Sequence, residues 1–171
     1  MILDALHIEQ PYSGEYNEKI YDIESRWNSS DWSWIKFEEE NDIWCGEFRG
    51  RFRGVAISEK LHIVVVLTSD YMYVLDSKTA KIIDYRSRPE YVNITETPLG
   101  DILVTDGYSV GILRSNKITD IESIVVPIHP DNLQFQEYDE NCLRITCYEF
   151  LNWGKEIEIY LDYNSLEWIN F

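Results

Sequence analysis

Three histidines, three cysteines and 31 aspartates and glutamates are the groups in this 171-residue chain that could move a proton, attack an electrophile or ligate a metal. His7, His62 and His129 have no metal-ligand spacing between them, and His62 adjoins the apolar run Ile63–Leu67, where a histidine reads as structural. Cys142 and Cys147 are five apart, so on one strand they point to opposite sides and cannot pair with each other. With Cys45 they read as free thiols of a reducing cytoplasm. No H-x-x-x-H, C-x-x-C, G-x-S-x-G or phosphate-cradling glycine loop occurs. Carboxylates are so abundant that any acid–base pair could be imagined, and that abundance removes the signal's specificity. The expectation is a non-enzyme with no cofactor and no metal.

The stretch EFRGRFRG (47–54) sets arginine beside aromatics, a combination that can grip phosphate and stack on bases. Its periodicity argues otherwise. Gly46, Phe48, Gly50, Phe52 and Gly54 share one face of a strand, where glycine lets a neighbouring backbone approach. Arg49, Arg51 and Arg53 share the other face, where they are expected to answer carboxylates rather than nucleic acid.

Net charge is −16 and unevenly spread. Residues 1–47 carry 12 acids against 3 bases, residues 48–117 carry 8 against 10, and residues 118–171 carry 11 against 2. Such a surface repels nucleic acid and anionic membranes and attracts cationic partners. MILDALHIEQ at the N-terminus is broken by Asp4 and Glu9, unlike a signal or transit peptide. No run approaches the roughly 18 apolar residues of a membrane helix. A cytoplasmic location is expected.

The elements that must carry these groups are mostly strands. Tyr16, Ile20, Ile23 and Trp27 fall at i, i+4, i+7 and i+11, which predicts one helix over about 16–27, with Ser13 as its N-cap. Trp32–Phe37 then alternates, Glu38–Asp42 turns, and Cys45–Ile57 reads as one long strand. Leu61–Thr68, Tyr71–Asp76 and Lys81–Arg86 complete a first β unit over about 32–88. A second unit covers 91–126 and a third 132–171, the latter with turns at Asp139–Asn141 and Asn152–Gly154. One domain over 1–171 is expected, mainly β, built as an antiparallel meander of about three units with one N-terminal α-helix.

YVLDSKTAKIIDY (73–85) and IYLDYNSLEWINF (159–171) share a layout. Leu75–Asp76 matches Leu161–Asp162, Ile83 matches Ile169 and Tyr85 matches Phe171, all 86 residues apart. LDSKTAKIIDY resembles the outer hairpin of a quinoprotein-type β-propeller blade, where an aspartate, a threonine and a small residue shape the turn. Arg114 stands in the aspartate's place in the middle unit, and no quinoprotein cofactor residues are present. Three units cannot close a propeller ring. The resemblance therefore implies an open half-propeller, with a β-sandwich as the other arrangement.

Two stretches combine aromatics with acid, as tight protein interfaces do. One is Trp32 and Trp34 beside Glu38, Glu39, Glu40 and Asp42; the other is Glu137, Asp139 and Glu140 with Tyr138 and Trp153. In size, charge and lack of catalytic motifs the whole chain resembles the immunity proteins of bacterial contact-dependent growth inhibition and polymorphic toxin systems. That resemblance implies an antitoxin binding a basic toxin domain in a 1:1 heterodimer. The toxin would be a ribonuclease or other nuclease, its active site covered, with no nucleic acid, membrane or small molecule bound. A propeller-derived interaction adaptor and a small-molecule-binding β domain are the alternatives.

Overall fold

The computed structural model describes residues 1–139 and 141–169. The protein is mainly β, with its strands in four four-stranded sheets. The first sheet has the spatial order β1 (Ile2–Ile8), β3 (Trp32–Glu39), β4 (Ile43–Arg49) and β2 (Asn17–Tyr21). The other three are antiparallel meanders. β5 (Phe52–Ser58), β6 (Ile63–Thr68), β7 (Tyr71–Asp76) and β8 (Ile82–Ser87) form the second sheet. β9 (Asn93–Glu96), β10 (Ile102–Thr105), β11 (Val110–Leu113) and β12 (Ile121–Ile124) form the third. β13 (Pro130–Tyr138), β14 (Cys142–Glu149), β15 (Asn152–Asp162) and β16 (Trp168–Ile169) form the last. A 3-10 turn, Ile118–Asp120, is the helical element among the described residues, and no helix there is long and apolar enough to cross a membrane.

Three cores join the four sheets, each shared by neighbours. The first holds Phe37, Trp44 and Phe48 against Tyr71 and Tyr73, and the second packs Val65, Leu67 and Val74 on Ile102 and Val104. The last sets Leu103 and Ile112 against Leu143, Ile145 and Ile159. Strand alternation explains how one sheet serves two cores. In β6, Val64 and Val66 face the first sheet while Ile63, Val65 and Leu67 face the third. The unbroken apolar run of β6 is thus the signature of a strand covered on both faces. The first strands of successive sheets also touch: β1 on β5, β5 on β9 and β9 on β13.

The 86-residue repeat is local turn chemistry. Asp76 Oδ1 accepts the Lys78 and Thr79 backbone N–H groups at 3.2 and 2.7 Å, and Asp162 Oδ1 accepts those of Asn164 and Ser165 at 2.7 and 3.0 Å. Ala80 and Leu166, also 86 apart, both take positive φ, at 56° and 60°. Both donate to the aspartate carbonyl, at 2.9 and 2.8 Å. The two turns join the third and fourth strands of their sheets. In the third sheet, where Arg114 interrupts the pattern, the 3-10 turn makes that connection.

Several expectations are corrected. The helix over 16–27 does not form; residues Asn17–Tyr21 are β2, paired parallel to Trp44–Phe48. Tertiary contacts override the helical stripe. Tyr21 stacks on Phe48 with centroids 4.4 Å apart and donates its hydroxyl to Ala80 O at 2.7 Å, while Ile20 and Trp27 stand exposed. Cys45–Ile57 is not one strand. Gly50, at φ 102°, ends β4 and carries the chain to the second sheet, so the unit over 32–88 is two sheets and the total is four, not three. Only glycine fits there, because a Cβ would lie 2.7 Å from Thr68 Oγ1 and 2.8 Å from Asp70 N. At Gly46 and Gly54 it is side chains, not backbone, that approach: Phe48 and Phe37 at one, Ile94 at the other. His62 sits in the turn before β6. The β14–β15 hairpin turns at Phe150–Leu151; the turn expected at Asn152–Gly154 falls instead at the start of β15, where the register shifts between Tyr148↔Glu156 and Glu149↔Asn152.

Candidate functional site

Where β1, β5 and β9 run beside one another they enclose a hollow of about 380 Å³, lined in part by Asp4, Ala5, Val55, Ile57, Glu59 and Glu96. Local sequence accounts for it. Gly54 has no side chain, so Ile94 of β9 fits over it and holds β9 against β5. Glu96 lies two residues beyond Ile94, on the same strand face, and is carried into the hollow half-buried. Burial pushes its carboxyl up to about 7, with the negative charge of Glu59 adding to the effect. Lys60, next to Glu59, is turned to Asp101 at 2.7 Å and does not neutralise the lining. A second hollow of about 280 Å³ shares Glu59 and Glu96, continues over Pro98, Leu99 and Gly100, and is lined by Lys60 as well.

A carboxyl held near neutrality in a cleft is a mark of functional sites. Asp4, Glu59 and Glu96 face a space whose described lining contains no lysine or arginine. An incoming ammonium or guanidinium group would ionise Glu96 and pair with it. Among the described residues, no three His, Cys, Asp or Glu side chains come together in a way that could hold a metal ion.

The sequence-selected residues lie elsewhere, on the first and last sheets. Trp32 and Trp34 are half-buried on the face of β3 turned away from the core, and the Arg49 guanidinium covers Trp32 at 3.8 Å from the ring centre. Trp34 pairs across the strands with Glu47, whose carboxyl is raised by burial and by Glu18. Glu38 is bridged to Lys36 at 2.7 Å, and Glu39 accepts the Trp44 indole N–H at 2.9 Å. Glu40 and Asp42 stay exposed in the turn. Glu38 pairs in register with Asp4, so this acidic turn borders the hollow.

The other group is not one cluster. Glu137 is tied to Arg144 at 2.7 Å, and Arg144 also holds Glu158 at 2.6 Å. Half-buried Tyr138 meets Tyr163 edge-on at 5.7 Å, and Asp139 N donates to Cys142 O at 2.8 Å. Exposed Trp153 lies at the far end of β14–β15, where its indole N–H donates to Asp131 at 2.7 Å. Glu140 lies outside the described residues. The arginines of the EFRGRFRG stretch are engaged within the protein. Arg49 bonds Asp22 and Arg51 bonds Asp31, as expected; Arg53 instead donates to the carbonyls of Pro89 and Tyr91.

Glu59 and Glu96 were missed from sequence. The available signal was parity: in NITE an acid occupies the face of the buried isoleucine. No family model and no curated protein matches the chain.

Proposed function

We propose that this protein is a non-catalytic inhibitor of a basic protein, of the kind found as immunity proteins in contact-dependent growth inhibition systems. The four stacked sheets read as an open half-propeller, with the hollow on its inner side. The partner is a toxin nuclease domain, a ribonuclease above all, bound 1:1 in the cytoplasm with its active site covered. The observation that carries this reading is the hollow, whose Asp4, Glu59 and Glu96 face a space without lysine or arginine in its described lining. Glu96 is held near neutrality there, ready to ionise against a cation.

A nuclease must bind a polyanion, so its cleft carries Lys or Arg. Carboxylates presented by an inhibitor compete for those groups. The acidic blocks also steer encounter, raising association toward roughly 10⁸ M⁻¹s⁻¹ at low salt. For an antidote that must reach a toxin before the toxin reaches RNA, that rate matters.

The decisive experiment co-expresses the chain with basic nuclease domains, beginning with any that the frame immediately upstream encodes. Rescue of growth, a 1:1 complex on sizing, and an association rate falling steeply between about 0.05 and 0.5 M salt are expected. Rescue by unrelated acidic proteins, or turnover of a substrate by the chain unaided, would overturn the reading. Binding should also weaken below pH 7, where Glu96 protonates. The hollow's volume sits at the low end of small-ligand sites, roughly 300–1,000 Å³. A polyamine is therefore the second reading, and calorimetry with spermidine distinguishes it.

A further inference from the structure

The last sheet overhangs its neighbour. β14 and β15 run 8 and 11 residues, whereas β10 and β11 run 4 each. Their hairpin closes through Phe150 and Leu151, between the paired Glu149 and Asn152. The favoured two-residue hairpin turns take positive φ at both loop residues or at the first, and so call for Asn, Asp or Gly. This turn has it at the second alone, beside a register shift in the ladder. Here a leucine takes φ 67°. Bulky apolar residues stand where small polar ones would fold more easily, and such local conflicts concentrate at functional positions.

The turn is also exposed and braced. Phe150, Leu151 and Trp153 are 54%, 71% and 62% exposed, and Tyr108 from the third sheet adds a fourth large group at 61%. Tyr108 and Phe150 line a hollow of about 280 Å³ with His129 and Pro130. Phe150 N donates to His129 O at 2.8 Å, and the Trp153 indole N–H is fixed on Asp131. A rigid, solvent-facing aromatic group of this kind is the usual anchor of a protein interface.

Charge selects the occupant. Asp106 lies in the turn that bears Tyr108, Asp131 holds Trp153, and Glu149 closes the turn. A second copy, also at −16, and an anionic lipid surface would both be repelled. A protein with a basic rim would not. β9 spans four residues, about 13 Å, between its Glu96 end at the acidic hollow and its Asn93 end, which pairs with Thr105 beside the Asp106 turn. One partner covering a usual area of roughly 800 Å² can reach both.

We infer that the Phe150–Trp153 turn is an apolar anchor that inserts into a cavity rimmed by Lys or Arg on the basic protein; this rests on the function proposed above. The hollow governs capture and the anchor governs retention. The test uses the basic nuclease domain that co-expression rescue identifies, purified, and two double variants, Phe150→Ser/Trp153→Ser and Glu59→Gln/Glu96→Gln. The anchor variant should dissociate about 30-fold faster with association and its salt dependence unchanged, and Trp153→Phe should restore most of the retention. The hollow variant should associate about tenfold more slowly with a shallower salt slope. Normal dissociation of a correctly folded anchor variant, beside a defective hollow variant, would overturn the anchor and leave the proposed function standing. No binding by the unmodified chain would overturn both. Sedimentation of the chain alone with and without phosphatidylglycerol vesicles completes the test. A dimer, or vesicle binding, that the anchor variant abolishes would assign the turn to another occupant and overturn the inference.

Discussion

The first and last sheets carry most of the chain's acid, yet they are built differently. The first packs on its neighbour through aromatics. Phe37 stacks on Trp44 at 4.4 Å, Phe48 meets Tyr73 at 5.3 Å, and the Tyr73 hydroxyl donates to Tyr21 O at 3.0 Å. The last packs mainly through aliphatic groups, with Phe135, Tyr138 and Trp168 partly buried against them, and keeps Phe150 and Trp153 exposed at its tip. Equal charge therefore does not mean equal role. One end is a braced foundation bordering the acidic hollow, and the other leaves large aromatics exposed at its tip.

The glycines test this contrast most severely. Gly50→Val, at positive φ against the Asp70 backbone, should cost about 4 kcal/mol in urea unfolding. Gly154→Ala in the last sheet meets nothing within 4 Å and should change stability by less than about 0.5 kcal/mol. Comparable losses would erase the distinction between foundation and exposed tip. Hydroxyl deletions sharpen it. Tyr73→Phe removes a buried hydroxyl–carbonyl bond and should cost about 1.5 kcal/mol, whereas Tyr160→Phe, whose hydroxyl bonds exposed Glu158, should be nearly silent.

The smallest effect is one of sign. Glu96, with its carboxyl raised to about 7, binds a proton more tightly in the folded state. Its contribution to stability is full below the ordinary glutamate range and is lost as pH rises through 7. Glu96→Gln should therefore stabilise the protein at pH 8 by about 1 kcal/mol, allowing for solvent screening of a half-exposed group, with little change at pH 5. Glu137 and Glu158 behave oppositely. Bonding to Arg144 lowers Glu137, and bonding to Tyr160 and Arg144 lowers Glu158, so their support is present above the ordinary range and fades on acidification. Replacing Arg144 with Met should remove most of Glu137's share of that acid dependence and part of Glu158's, where the Tyr160 bond remains, read as the urea midpoint between pH 6 and 3.

Turn chemistry and strand alternation were legible in the residues. The Asp76 and Asp162 turns follow from local hydrogen bonding, and the apolar run of β6 announces a strand covered on both sides. Of the N-terminal sheet, β3 was legible in the alternation of Trp32–Phe37, but β1 and β2 were not. β2 joins its sheet through β4, over twenty residues further along, and a short strand held by a distant edge leaves no periodic trace. The same limit hid the hollow. Asp4, Glu59 and Glu96 belong to three sheets and meet only once the stack is assembled. Gly50 lies in an alternating pattern that continues unbroken to Ile57, so nothing in that pattern marks where one sheet ends and the next begins.

Arg144 and its two glutamates, on the side of the last sheet turned away from Ile145, make that face costly to cover. A fifth layer, or the first layer of another molecule, would have to desolvate that ion-pair network with no apolar surface in return. Head-to-tail addition, the route by which open stacks become fibres, is disfavoured on this face. Exchanging the three residues for leucines would remove that cost.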